Sequence, residues 1–252
     1  MKLLKFILSP GSWEDNGQDC KTDCLWCGHR ALELSNEPPH QFQCWSCKQT
    51  GNGYTLLQKY YADLPDLKRS EGEELVRWKP GTSPQAFRSA GVKRSTRGYI
   101  WPVFNAENKV VALYRYGKTN NTFYSTPKPF SLNILGVNHL SASGVVYVVE
   151  GHWDYAAFQT NVEPGSHNVL GLCGSSWPTK QLSLLENREV VWLGDNDEAG
   201  QSGVHSLATR MKRSSILPLS LKYLNWGELS IPTLLEIPDK FDIRDLCVEL
   251  FQ

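Results

Sequence analysis

Two Cys-x-x-Cys pairs, Cys24–Cys27 in CLWCG and Cys44–Cys47 in CWSCK, are separated by sixteen residues. That spacing is the one expected of a four-cysteine zinc site. Each pair makes a tight knuckle aiming two thiolates at one point, and a small antiparallel ribbon brings the knuckles together into a closed tetrahedron. The stretches HRALELS and HQFQC between them alternate with period two around the turn NEPP, as a ribbon hairpin requires. Disulfide pairing is the competing explanation. It is disfavoured by an odd cysteine total of seven and by the chain's start, MKLLKFILSP, where Lys5 interrupts a brief apolar stretch and no small-residue cleavage site follows. The start reads as a first strand or short arm, and the protein as cytoplasmic. Cys20, four residues before Cys24, is an alternative ligand, although CxxC geometry favours Cys24. His29 and His40 read as surface residues. A closed four-thiolate site is structural, so Zn²⁺ bound by Cys24, Cys27, Cys44 and Cys47 would hold the module together and do no chemistry.

The remainder of the chain is long enough for its own cores. Its 252 residues, 40% hydrophobic and without a run of eighteen apolar residues, exclude a disulfide-stapled miniprotein and argue against a membrane span. The net charge is zero, but its distribution is uneven. Residues 1–60 carry six basic and six acidic residues, 61–140 twelve and six, and 141–252 eight and fourteen. Between Arg77 and Lys128 there are ten basic residues and a single acidic one, Glu107. A basic middle beside an acidic C-terminal region suits a protein that holds a polyanion with one part and cations with the other; two solvated faces of opposite sign are the plainer alternative.

Residues 62–92 read as short helices in a charged, Pro/Gly-punctuated linker. GYIWPVFN and KVVALYRY then form two β-rich runs joined at NAEN, and GKTNN leads into TFYSTP, predicting a meander of short antiparallel strands. Lys93, Arg94, Arg97, Arg115 and Lys118 are interleaved here with Trp101, Tyr114, Tyr116 and Tyr124. On one surface such residues can contact a single-stranded backbone and stack its bases, whereas aromatics on strands more commonly fill a core. ALYRYGKT, from Ala112 to Thr119, fits a relaxed phosphate-loop pattern, but it lacks the small residues and following helix of a true one.

From Gly144 onward apolar runs alternate with helical patterns: GVVYVVEGHWDYAAFQ, HNVLGLCGSSW, KQLSLLE and REVVWLGDNDEAGQSGVHSLATRM. Continuous Val/Leu-rich strands between amphipathic helices predict a mainly parallel sheet covered by helices. Functional groups gather beyond the carboxyl ends of such strands. Glu150 ends VVYVV, and Asp195 and Asp197 follow VVWLG, so two strand ends can point three carboxylates at one cleft. Crowded carboxylates need a compensating charge, and hard oxygen ligands favour Mg²⁺ or Mn²⁺. Two such ions could activate a 3′-hydroxyl and stabilise a leaving pyrophosphate. Helix capping by the DND turn is the alternative.

CLWCGHRALEL and HQFQCWSCKQTGNGYTLLQKYY resemble the zinc-binding domain of DnaG-type and phage primases, which implies a role in choosing the template trinucleotide. RGYIWPVFNAENKVVALYRY with FYSTPKPF resembles, more loosely, the basic N-terminal subdomain of the primase core. That likeness makes Lys93, Arg94, Arg97, Arg115, Lys118 and Lys128 candidates for binding template and nucleotide. VVEGHWD with GDNDEAG resembles the Toprim domain. Glu150 matches its glutamate, Asp195 and Asp197 its DxD pair, and Asp154 the aspartate of EGxxD. DKFDIRDL resembles a late acidic primase motif in which Asp242 matches a metal ligand; Arg244 stands where a second aspartate is expected, leaving Asp245 as a candidate. Together the resemblances imply an α+β and α/β multidomain chain. Its parts are a zinc ribbon at 1–60, a linker at 61–92, a basic β-rich subdomain at 93–140 and a Toprim domain at 141–252. They imply a DNA primase that joins ribonucleoside triphosphates on single-stranded DNA, with structural Zn²⁺, catalytic Mg²⁺ or Mn²⁺ and a replicative helicase as a separate chain, in a bacterial or phage-infected cytoplasm. A RecR-like recombination mediator, which binds DNA without catalysis, and a Toprim nuclease are the alternatives.

Overall fold

The computed structural model describes residues 7, 13–37, 39–117, 123–125, 134–161, 168–173, 177, 179–194, 198–215, 218 and 220–225. They form two compact units, Met1–Leu67 with Gly91–Leu132, and Lys68–Ala90 with Asn133–Gln252. Among the described residues no helix is long and apolar enough to cross a membrane.

The first unit contains two antiparallel sheets. One is a meander of β1 (Trp13–Asp15), β2 (Asp19–Thr22), β3 (Leu32–Ser35), β4 (Phe42–Cys44) and β5 (Thr50–Gly51). The hairpin predicted around NEPP is β3–β4, with Leu32 opposite Cys44 and Leu34 opposite Phe42. Period two puts Cys20, Thr22, Leu32, Leu34, Phe42 and Cys44 inside and Asp19, Lys21 and Glu33 outside. Helix α1 (Gly53–Asp63) follows. Asn52 starts it, its side-chain oxygen accepting the N–H groups of Tyr54 at 3.0 Å and Thr55 at 3.3 Å. Leu56 and Leu57 form its buried stripe.

The other sheet is β6 (Lys93–Ser95), β7 (Gly98–Phe104), β8 (Val110–Tyr116) and β9 (Phe123–Ser125), the predicted meander. β7 and β8 turn at Asn105–Lys109, where Asn105 accepts the Lys109 N–H through its side chain at 2.9 Å and Asn108 takes a φ of 58°. Both long strands are buried along nearly their whole length, so the sheet is covered on both faces.

The second unit begins with α2 (Arg69–Trp78) and α3 (Pro84–Ser89). Its sheet has the order β10 (Ile134–Leu135), β12 (Asn168–Leu172), β11 (Val146–Val149), β13 (Glu189–Gly194), β14 (Ser220–Asn225). Only the β10–β12 pair is antiparallel; the others are parallel, as the apolar runs predict. Helices α4 (His152–Asn161) and α5 (Glu198–Ser214) follow β11 and β13. Tyr147 meets Phe158 of α4 at 5.2 Å between ring centroids. On the alternate residues, Val146 and Val148 join Val190, Trp192 and the α5 residues Val204, Leu207 and Met211 in one core. The two helices therefore cover opposite faces of this sheet. KQLSLLE, read as a helical pattern, lies, up to Leu185, in a 3-10 helix, Thr179–Leu185. Leu182 and Leu185, three apart, are both buried, and a three-residue turn stacks that spacing on one side.

Candidate functional site

The two knuckles have the same geometry. In the first, the Gly28 N–H donates to the Cys24 carbonyl at 2.9 Å with Gly28 at φ 75°; in the second, the Lys48 N–H donates to the Cys44 carbonyl at 2.9 Å with Lys48 at φ 64°. The knuckles bring Cys24 Sγ to 3.7 Å from Cys47 Sγ and Cys27 Sγ to 3.8 Å from Cys44 Sγ. All four sulfurs lie within 4.8 Å of one another. Burial pushes the Cys24 thiol up to about 12. Cys44 is also buried, but the N–H groups of Cys47 and Ser46 point at its sulfur and bring it down to about 7. Four thiolates this close repel one another, and a tetrahedral dication that takes all four relieves the repulsion, so the group fits Zn²⁺.

Cys20 stands apart from this group. Its buried thiol donates to Asn36 Oδ1 at 3.0 Å, and burial raises its pKa, which favours the protonated form. The expectation for His40 is corrected, because it is buried. Its backbone adopts a φ of 58°, its N–H donates to the Glu37 carbonyl at 2.8 Å, and its Nδ1 lies 3.1 Å from the Ser35 carbonyl, so it closes the turn from within. His29 is exposed.

A second group of residues lies at the carboxyl edge of the parallel sheet. Val149 of β11 is level with Leu193 of β13 and with Gly171 of β12, so the chain leaves β11 and β13 at the same edge. From β11 the chain passes to β12 on one side and then to β13 on the other. The gap between β11 and β13 is thus the point where strand order reverses, where open α/β sheets bind ligands. Glu150 is the residue after β11, half-buried, and its Oε1 accepts from Trp192 Nε1 at 3.3 Å. Asp154 lies in the first turn of α4. Its carboxylate folds over Gly151 so closely that a Cβ there would sit 2.8 Å from Asp154 Oδ2. Side-chain bulk at Gly171 is excluded as well, since a Cβ would be 2.9 Å from the Cβ of Tyr155. Asp195 and Asp197 follow Gly194 in sequence and, with Asp242 and Asp245, lie outside the described residues. The described members, Glu150 and Asp154, offer carboxylate oxygens, the chemistry that suits Mg²⁺ or Mn²⁺.

Two residues at this edge carried no signal of their own in the sequence. Trp192 reads only as a strand residue, yet its indole N–H fixes Glu150. Lys79, just past α2, comes to 5.8 Å from the ring of Trp153, the residue before Asp154. Phe87 of α3 meets the same ring edge-on at 6.0 Å.

The predicted basic candidates separate by environment. Lys93 is engaged at the junction between helix and sheet: its Nζ donates to the Leu64 carbonyl at 3.1 Å, lies 3.4 Å from the Asp66 carboxylate and stands 4.8 Å from the Tyr61 ring centroid. Arg94 lies over the Tyr99 ring at 4.6 Å. Arg97 is exposed on the tight turn between β6 and β7. Arg115 is only 3% exposed; burial lowers its pKa, and its hydrogen bond to Tyr60 opposes that shift. Lys118 and Lys128 lie outside the described residues. Trp101 and Tyr114 are buried and belong to the core, the commoner role of strand aromatics. Tyr116 is half-buried.

A family model described as Toprim-like matches residues 147–228. No curated protein matches the chain. Among solved structures, a DnaG primase catalytic domain bound to single-stranded DNA is 13% identical, covering 78% of this chain and 74% of that one, with a TM-score of 0.54. The Escherichia coli primase catalytic core is 13% identical, covering 78% of this chain and 75% of that one at a TM-score of 0.54. A DnaG catalytic core is 15% identical, covering 73% and 75% at a TM-score of 0.53. At these identities the likeness is one of fold: the chain has a primase-type catalytic-core fold containing a Toprim-like α/β sheet, preceded by an antiparallel four-cysteine ribbon.

Proposed function

We propose that this protein is a DNA primase, which joins ribonucleoside triphosphates into short RNA primers on single-stranded DNA. The observation that carries the reading is the convergence of Glu150 and the exit of β13 at the strand-order reversal of a Toprim-like sheet. In this reading Glu150, Asp195 and Asp197 are the catalytic carboxylates, and together with Asp154 and Asp242 they would hold Mg²⁺ or Mn²⁺. Bound there, the ions would lower the pKa of an attacking 3′-hydroxyl and neutralise a leaving pyrophosphate. The chain's own contribution is orientation. Trp192 holds one oxygen of Glu150, and Gly151 lets Asp154 lie close to the turn.

Exposed Arg97, with Arg94 and the remaining basic candidates Lys93, Arg115, Lys118 and Lys128, would supply the electrostatic attraction for template and triphosphate. Of these, Lys93 and Arg115 would act by positioning, since their charges are already committed within the protein. Zn²⁺ on the four cysteines would be structural. The division 1–60, 61–92, 93–140 and 141–252 gives the ribbon, linker, basic subdomain and Toprim domain of this reading. A replicative helicase on a separate chain would be the partner in a bacterial or phage-infected cytoplasm.

The test is a priming reaction with purified protein, single-stranded templates, labelled ribonucleotides and Mg²⁺ or Mn²⁺. Template-dependent oligoribonucleotides that fall to background in Asp195→Ala, with unchanged thermal stability, are the expected result. Template degradation would instead identify a nuclease. DNA binding without product under either metal would point to a mediator of the RecR kind or to a primase lacking an essential partner.

A further inference from the structure

We infer that the four-cysteine ribbon and the basic four-stranded sheet are one cooperative body, so that the ribbon serves the sheet of its own chain and metal bound by the cysteines also holds the sheet together. The inference is independent of the polymerase reading. It starts from the apolar core: α1, which extends the ribbon, contributes Leu56 and Leu57 to a cluster containing Leu32 and Leu34 of the ribbon and Ile100 and Leu113 of the sheet. These six are at most 2% exposed, so neither part can leave the other without opening this core to water.

Polar contacts close the seam around that core. Gln58 of α1 donates through Nε2 to the Val110 carbonyl at 3.3 Å. The Tyr61 hydroxyl donates to the Gly91 carbonyl at 2.6 Å, and the Tyr61 ring meets Phe104 of β7 edge-on at 6.0 Å. Burial pushes the Tyr61 hydroxyl well above the usual phenol range, which keeps it a donor at any working pH.

The three residues that follow α1 have no slack. The Leu64 carbonyl accepts from Lys93 Nζ at 3.1 Å, the Pro65 carbonyl accepts the Arg94 N–H at 3.2 Å, and Asp66 forms an antiparallel bridge with Lys93. A module that swings on a tether needs several solvated residues in its linker; here each is tied to β6. A small ribbon buries too little surface to be stable alone, and the free energy of metal binding is free energy of folding for whatever is cooperative with the site.

Hydrogen exchange followed by mass spectrometry on the full chain, during a titration of Zn²⁺ into protein stripped with EDTA, tests this. The amides of β7 and β8 should gain protection at the same zinc concentration as those of β2–β4, while β11 and β13 are protected throughout. Protection of β7 and β8 without zinc would overturn the inference. So would two separate zinc midpoints, or gain of protection in β11 and β13 at the same midpoint, which would make the whole chain the metal-dependent body. Tyr61→Phe, which deletes one seam contact and leaves the cysteines intact, provides a second measurement in the zinc-loaded protein. Its urea midpoint should fall equally when read from ribbon amides and from β7–β8 amides, and a fall confined to either group would overturn the inference.

Discussion

The ribbon sheet and the parallel sheet stabilise themselves in different ways. In the ribbon, each strand has three or four residues at most and buries only alternate side chains, so one face stays wet. In the parallel sheet, β11 and β12 are buried at every position and helices lie on both faces. By the usual ~25 cal/mol per Å² of apolar surface, a one-faced sheet of this size gains little to set against its chain entropy. A cation and a neighbouring core must supply the difference, whereas the parallel sheet supplies its own. The same contrast separates the two candidate sites. The ribbon gathers its four cysteines in two tight turns, and the parallel sheet carries Glu150 and Asp154 just past the carboxyl end of β11.

The largest expected effect is at the ribbon. Cys44→Ser should abolish stoichiometric zinc and remove metal-linked folding energy on the order of 10 kcal/mol, leaving the Lys68–Ala90/Asn133–Gln252 unit folded; zinc content and localised exchange measure both. If that unit melts as well, the contrast between the two sheets is wrong. Leu207→Ala is the reciprocal change. Leu207 is 1% exposed among Val148, Trp192 and Met211, so truncation should cost about 2–5 kcal/mol in urea unfolding of the parallel-sheet unit and leave zinc affinity unchanged.

Acidification should separate the units by a comparable amount. The ring nitrogen Nε2 of His152 is shut off from water although the residue as a whole is half-buried; desolvation, helped by the Lys79 charge, brings its pKa down from 6.5 to about 4. The unfolded chain therefore takes up the proton first. The contribution of His152 to the stability of this unit is present above pH 6.5, declines as the pH falls toward 4, and amounts to up to about 3 kcal/mol across that interval. A bound divalent cation nearby would act in the same direction. Chevron or equilibrium urea midpoints from pH 7.5 to 4 should show the slope in the wild type and a flatter one in His152→Gln. The smallest effect is expected from Trp192→Phe, which keeps the ring in the core and deletes the N–H held by Glu150, at about 1 kcal/mol in stability. If Glu150 carries the proposed chemistry, primer synthesis in this variant should fall further than stability does.

What could be read in advance follows from how local each determinant is. A CxxC knuckle is a five-residue event, so Cys24, Cys27, Cys44 and Cys47 were legible from spacing alone, as were the β3–β4 hairpin and the strands at 98–104 and 110–116. CxxC geometry already favoured Cys24 over Cys20, and the bond from the Cys20 thiol to Asn36 gives the physical reason Cys20 stays out of the group. The position of Glu150 at the end of β11 was legible, since a continuous apolar run ends there. Its partner Trp192 was not, because the contact depends on the parallel register of strands 42 residues apart. Charge alone was also a poor guide to exposure: Arg115 and Lys93 share a basic stretch with Arg97, but alternation on a doubly covered sheet buries the first and helix α1 engages the second.

The matched knuckles have one further consequence. Both place the residue after their second cysteine in the left-handed region, and the first uses Gly28 for it while the second uses Lys48. A side chain there costs about 1 kcal/mol relative to glycine, and what the second knuckle gains is an ammonium 5.9 Å from the ring of Trp45, a large hydrophobic side chain 53% exposed. Metal coordination has a wide margin over such a cost. A turn clamped by a cation is therefore freed from the usual demand that its residues suit its backbone, and the sequence of the knuckle becomes available for whatever its outer surface has to meet.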